Sequence, residues 1–373
     1  MEKFLKNYRV RIHTLAPVFV GDGTKIGNRE YIYLMDQACV LIPDLRKMYA
    51  ELSKRKLAGA YQEYMLSDKY PLGTFLRNQG FSRSDYARWT EYELDAGDYF
   101  DSTGRTDGRS RPPKEILSFI KDPYGNPYLP GSALKGMLRT ALLAWIVRSD
   151  PAQYSRQLQQ IRQVNGGRRK ALQKETAELE QRALHRLDRT EKLRDAVNSI
   201  MSGLIVSDSA SLTTNDLTLA QKVDYSIDGN EKRLPILREA LKPDVEIVFD
   251  LTIDRSIFPY SIEEILDALN QFNGSYFDSF GKYFGRGNPS PGIIWIGGGV
   301  GFLSKTVIHP LFSEEENFGI TDVIMRETVS KYREHHHDED WKRQISPHMY
   351  KCTFYQGHLY DMGMARIDSV REI

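Results

Sequence analysis

Between Tyr8 and Thr14 the apolar residues Tyr8, Val10 and Ile12 alternate with Arg9, Arg11 and His13. A period of two is what a half-buried strand imposes, because successive side chains leave the pleat on opposite faces. The chain is therefore expected to open with a strand whose free face is basic. Gly21, Asp22, Gly23 and Gly27 read as turn residues, and strand-like runs follow over residues 30–35 and 38–42, together an antiparallel meander. Asp44 is placed to cap a helix running to about Leu57. Residues 67–113 follow no period, and residues 97–113 carry the Gly, Ser, Asp and Pro content of a loop.

The clearest helical pattern comes after Pro130 and Gly131. Leu134, Met137, Leu138, Ala141, Leu142 and Trp145 recur at steps of three and four, with Ser132 as the expected N-cap. Lys135 and Arg139, four apart, share another face of that helix. A mostly polar helix is expected over residues 168–200, basic at its start, and charge runs of this kind are usually solvated faces. Strands are expected again at 203–211, 217–227 and 245–254. Ser261 and Glu264 then form the sequence signature of a capping box at the head of a helix reaching Phe272. Strand, helix and strand thus recur twice. We expect two α+β domains, residues 1–215 and 216–373, the second holding a glycine-rich loop.

Composition changes this picture only at the margins. At 373 residues the chain exceeds the usual size of one core, and 40% hydrophobic with 27% charged residues describes a folded globular protein. A net charge of +1 announces no nucleic-acid or membrane partner, so any affinity for polyanions has to be local. The acidic stretch 311–340 can hide basic surface elsewhere in that total. Two cysteines, Cys39 and Cys352, are too few and too far apart for a disulfide framework or zinc ribbon, which fits a reducing cytoplasm. No signal peptide or membrane span is expected.

The segment from Gly297 to Thr306, GGGVGFLSKT, is the most distinctive chemistry. Closely spaced glycines let a backbone approach a phosphate and aim several N–H groups at it. It narrowly misses a nucleotide-binding P-loop, since Ser304 stands where that motif needs glycine, and this argues against an ATPase. The run His335-His336-His337-Asp338-Glu339-Asp340 lacks metal-ligand spacing and reads as a solvated acidic loop. Asp208 and Asp216 have no fixed separation and carry no argument. His13 is a candidate acid or base only if the chain cuts RNA.

The segments PYLPGSALKGMLRTALL (127–143) and IGGGVGFLSKT (296–306), with the opening RIHTLAPVFVGDG and the closing YDMGMARID, resemble the RAMP superfamily of CRISPR effector proteins. Within it the ordered set is most similar to the type III-A Csm-complex subunit that caps the 3-prime end of the CRISPR RNA (crRNA). The resemblance implies two ferredoxin-like (RRM-like) domains with inserted helices and loops. It implies a non-catalytic subunit in antiviral defence, needing no cofactor or metal and supporting crRNA maturation and assembly. Its partners would be crRNA, the RAMP backbone subunit and the small helical subunit, with target RNA reached indirectly and trimming nucleases recruited. Ser132, Lys135 and Arg139 would lie along the crRNA backbone, with Gly297, Gly298, Gly299, Gly301 and Lys305 opposite and His13 and Arg286 as further contacts. The stacking signature of ordinary RRM domains is missing. The alternative from the same superfamily is a metal-independent endoribonuclease acting on precursor RNA through His13, with Lys135 as electrostatic helper.

Overall fold

A computed structural model describes residues 4–67, 70–97, 99–100, 115–163, 172–328 and 338–373. The chain begins with β1 (Leu5–Thr14), β2 (Gly21–Gly27), β3 (Ile32–Leu34) and β4 (Cys39–Pro43). Next come α1 (Leu45–Lys54), α2 (Ala58–Ser67), α3 (Leu72–Asn78), the single turn α4 (Arg83–Tyr86), β5 (Thr90–Asp95) and β6 (Glu115–Phe119). The middle holds α5 (Gly131–Ser149), α6 (Ser155–Arg162), α7 (Gln173–Leu184), β7 (Leu204–Val206), β8 (Leu217–Ser226), β9 (Glu231–Leu241) and β10 (Glu246–Asp254). The chain closes through α8 (Ile262–Ser279), β11 (Ile293–Trp295), α9 (Ile308–Leu311), α10 (Glu314–Thr328), α11 (Asp338–Arg343), β12 (Met349–Tyr355), β13 (His358–Asp361) and β14 (Met364–Glu372).

These elements form the expected α+β architecture. One sheet runs β11-β14-β1-β10-β7, and a second runs β13-β12-β8-β9-β6-β2. A small third sheet, β3-β4-β5, carries α1 to α4 on a core of its own that includes Met48, Leu52, Tyr64, Phe75 and Trp89. In the first sheet β1 lies between β10 and β14, antiparallel to both, so the first strand of the chain is completed by two of its last. Both large sheets draw strands from either side of residue 215, and the expected boundary there does not separate them. A single apolar cluster reaches from Val10 to Ala365.

Several local expectations need correction. Residues 21–27 are a strand, not turns, because pairing with β6 overrides their glycine content. The irregular stretch contains α3, α4 and β5. These elements are too short to show a period, and burial of Leu72, Phe75, Leu76 and Trp89 stabilises them. The long polar helix is only α7, its basic start lies outside the described residues, and 3-10 turns follow Leu184. The strand expected at 203–211 is three residues long. At α5 the N-cap is Pro130, not Ser132. The α8 capping box is present as read, Ser261 Oγ accepting from the Glu264 N–H, and the helix runs on to Ser279. His335, His336 and His337 lie outside the described residues. Asp340, expected on a solvated loop, is instead buried and hydrogen-bonded to Ser346 and His348.

The basic face of β1 is not free. Arg9 Nε donates to Asp250 Oδ1 at 2.9 Å, Arg11 meets Glu246 at 3.2 Å, and His13 Nε2 lies 3.1 Å from Asp244 Oδ1. Strand β10 and the turn before it carry the matching acids, so this surface is neutralised pair by pair.

Candidate nucleic-acid interface

Helix α5 is positioned by a close approach at its first residue. A Cβ on Gly131 would overlap the carbonyls of Val206 and Ser207, and the Gly131 N–H donates to Asp208 Oδ1 at 2.8 Å. The Asp208 carboxylate thus sits at the positive end of the helix dipole, which is a structural role. Asp216 is likewise committed, accepting from the N–H and Oγ1 of Thr213. Leu134, Leu138, Ala141, Leu142, Ala144 and Val147 are buried, with α8 as the main neighbour, which leaves Ser132, Lys135 and Arg139 toward the outside. Burial lowers the pKa of the Lys135 ammonium and of the Arg139 guanidinium. Arg139 is ion-paired with Glu180 of α7.

Lys305, more than 150 residues further along the chain, lines the same cleft as Arg139. That cleft has a volume of about 380 Å³, with Thr140, Glu180, Phe302 and Phe312 among its walls. The Lys305 pKa is also lowered by burial. Among the described residues neither Lys135 nor Lys305 has an ion-pair partner. A partly buried cation without a counter-charge favours the arrival of an anion, which would restore its charged form.

The glycine loop is pinned before it reaches this region. Gly297 has φ +86°, and a Cβ there would overlap the Phe19 carbonyl, which accepts from the Gly298 N–H at 2.6 Å. Gly363 closes the other side, its carbonyl accepting from the Ile296 N–H and its own N–H donating to the Pro17 carbonyl. Gly299 and Gly301, both at positive φ, come next and border the second sheet: a Cβ on Gly299 would lie 3.0 Å from Arg238 Nη1, and one on Gly301 would lie 3.5 Å from Lys351 Cγ. Among the described residues the N–H groups of Gly299, Val300 and Gly301 donate to no protein acceptor.

Beneath the loop lie residues that the sequence pattern did not single out. On β9, Arg238 and Glu239 are adjacent and both buried, at 9% and 0% exposure. They differ in satisfaction. Glu239 accepts from Tyr92 Oη, Ser118 Oγ, the Phe119 N–H and Lys121 Nζ. Among the described residues Arg238 has no hydrogen bond or ion pair; its Nε is buried without a partner, and its nearest aromatic is the Phe19 ring, 5.6 Å away. Desolvation lowers its pKa, with Asp224 acting in the opposite sense. The register Ala220↔Arg238 and Asp224↔Lys351 puts Lys222, Asp224, Arg238 and Lys351 on one face of the sheet, where Asp224 already accepts from Lys351 Nζ at 2.8 Å. Burial lowers the Lys222 pKa against the opposing pull of Asp224, and the like charges of Lys351 and Arg238 add to the lowering.

The remaining expected residues lie apart from this. Arg286 Nη1 is 3.4 Å from Asp361 Oδ1 and 3.3 Å from the Leu359 carbonyl, and its guanidinium covers the Tyr225 ring at 4.8 Å. That arrangement holds the loop after α8 in place. His13 is on β1 beside Asp244, and no hydrogen bond or ion pair joins it to Lys135.

An α+β fold with a pinned glycine loop facing partly buried cations defines a class that the comparisons identify. The RAMP superfamily profile matches residues 11–305, and the chain belongs to that superfamily. Among individual proteins it is similar to the "CRISPR system Cms protein Csm5" of Mycobacterium tuberculosis (strain CDC 1551 / Oshkosh), 28% identical over 98% of both chains. The protein of the same name from Streptococcus thermophilus is 26% identical over 82% of each. A chain in a cryo-EM structure of a Csm-crRNA-target RNA ternary complex of a type III-A CRISPR-Cas system superposes with a TM-score of 0.66 at 16% identity. It covers 97% of this chain and all of the other, and at that identity the likeness speaks for the fold.

Proposed function

We propose that the chain is a non-catalytic crRNA-binding subunit of a type III-A Csm complex, capping the 3-prime end of the guide and supporting its maturation in defence against foreign RNA and DNA. The observation that carries this reading is the convergence of Arg139 and Lys305 on one cleft, with Lys135 one helical turn away, in a chain similar from end to end to proteins named Csm5. One scaffold has to serve guides of many sequences, so its grip should rest on phosphates and 2-prime hydroxyls, not on base edges. Ser132, Lys135, Arg139 and Lys305 supply donors of that kind, and the glycine loop adds backbone N–H groups. Other Csm subunits would pack on the remaining surfaces and bring target RNA within reach, while trimming nucleases act on the protruding RNA.

The test is Lys135→Ala combined with Arg139→Ala. The double variant is expected to co-purify with less crRNA, and the salt dependence of binding should become shallower by one to about two contacts' worth. Unchanged crRNA content would reject the assignment. The endoribonuclease alternative has the His13–Asp244 pair in its favour, a histidine oriented by a carboxylate. Cleavage of labelled precursor RNA in EDTA, abolished by His13→Ala, would select it instead.

A further inference from the structure

We propose that Arg238, with Lys222 and Lys351 beside it, forms a seat for one phosphate of the bound RNA beneath the glycine loop. This rests on the reading of the chain as an RNA-holding subunit and adds residues that the cleft of Arg139 and Lys305 does not use. The argument begins with the contrast on β9. Glu239 shows what this fold does with a buried charge it keeps for its own sake, surrounding it with four donors. Arg238, one residue earlier and nine-tenths buried, has no hydrogen bond or ion pair among the described residues, and only the field of Asp224, already bonded to Lys351, acts in its favour. An uncompensated buried charge is costly, and a fold retains one where a partner from outside completes it.

The missing partner is an anion. Lys222, Arg238 and Lys351 share the face with Asp224, which already accepts from Lys351, and the exposed Lys232, opposite Asp224 on β9, adds to the positive charge there. The seat also has a rim. Gly299 and Gly301 bring bare backbone to the two outer cations, and among the described residues the N–H groups from Gly299 to Gly301 have no protein acceptor. Backbone N–H groups converging with a guanidinium and an ammonium suit a tetrahedral oxyanion, which has several acceptor oxygens to share among them. A carboxylate holds its two oxygens in one plane, whereas a phosphate presents oxygens both to the cations on the sheet and to the N–H groups of the loop above. The positive φ of Gly299 and its 3.0 Å approach to Arg238 tie the loop to the cation, so a side chain there would close the seat.

The experiment uses the full chain, labelled single-stranded RNA of guide length read by anisotropy at several salt concentrations, and thermal unfolding with and without inorganic phosphate. Arg238→Met is expected to weaken RNA binding about tenfold, the scale of one charge-assisted contact, and to lower the salt slope by about one. Its unliganded Tm should not fall, because an unpaired buried charge has been removed. Lys222→Ala, less buried, should weaken binding in the same direction by a smaller factor. Inorganic phosphate should raise the Tm of the wild type and not that of Arg238→Met.

If both variants bind RNA as the wild type does, while the Lys135→Ala and Arg139→Ala double variant loses it, the seat is wrong and the functional reading stands. If none of these substitutions changes binding, both fall. A Tm rise with phosphate and no change in RNA affinity would mean a site for free anions only, which overturns the seat. Unchanged RNA binding with loss of co-purifying subunits would point to a carboxylate of a neighbouring protein, which also overturns it. A large fall in the Tm of Arg238→Met, with Lys222→Ala binding normally, would make Arg238 a structural residue.

Discussion

Three buried ionisable residues show how differently one interior treats charge. Glu239 stays within a full set of donors, Arg238 is left open, and His309 of α9 is accommodated by giving up its charge. The His309 ring lies against Phe272 and Tyr276 with Ser275 Oγ 3.2 Å from its Nδ1, and burial depresses its pKa from 6.5 to about 3. The sign of the consequence follows. Below pH 6.5 the unfolded chain takes up a proton that the native imidazole refuses, so stability is complete above that pH and declines as pH falls toward 3. The loss is at most about 1.4 kcal/mol per pH unit. Urea midpoints measured from pH 7.5 to 5 should show this decline in the wild type, and His309→Gln should flatten it. An identical slope in both proteins would show that the proton uptake belongs elsewhere.

At the scale of elements, α5 is where sequence and structure agree best and also where a small change should matter most. The helix could be read from its apolar spacing because its buried positions really do recur at three and four. Its exact start could not, since the capping partner, Asp208, lies 77 residues away. Gly131→Ala would press a methyl group into the carbonyls of Val206 and Ser207. Overpacking of this kind typically costs about 1 to 3 kcal/mol and would tilt Lys135 and Arg139 away from Lys305. Loss of RNA affinity together with a lower denaturation midpoint is the expected result, whereas a normal midpoint and affinity would mean that the helix start is not a fixed point. Strand β9 is the opposite case. Its core end is buried on both faces, charged residues included, so no alternation was available to read, and Pro235 falls in the stretch where the register with β8 shifts. Arg238 was illegible for the same reason: its importance depends on what fails to surround it. Lys135, Arg139 and Lys305 were legible as basic residues on recognisable motifs, but only the fold brings Arg139 and Lys305 to one cleft. Arg286 carries the same kind of charge in the same kind of loop, and the fold commits it to Asp361.

For the whole molecule, the near-zero net charge is the sum of local settlements. The basic stripe of β1 is matched by the acids of β10 and its leading turn, which lowers the net positive charge of that strand, while Arg366 and Arg371 of β14 lie across from His13 and Arg9. Near α5 and under the glycine loop, Lys135, Lys305 and Arg238 are partly or largely buried cations with no ion-pair partner among the described residues. The interleaving of strands also bears on how the protein can be divided. A fragment of residues 1–215 would lack β10, β11 and β14 from one sheet and β8, β9, β12 and β13 from the other. It is expected to show no cooperative unfolding transition and to be insoluble or collapsed. A sharp thermal transition in that fragment would support the boundary expected from the sequence.

The placement of β1 has a further consequence for how the protein is made. As the ribosome releases the chain from its N-terminus, β1 emerges well before the two strands that flank it, β10 and β14. Until then a strand with Val10 and Ile12 on one side offers two unpaired edges, which is the condition under which nascent sheets go astray. The glycine loop is held between Phe19 and Gly363, so it too can take shape only after Gly363 has been made. If the chain holds RNA as proposed, a nascent chain lacking β14 would not yet compete for it.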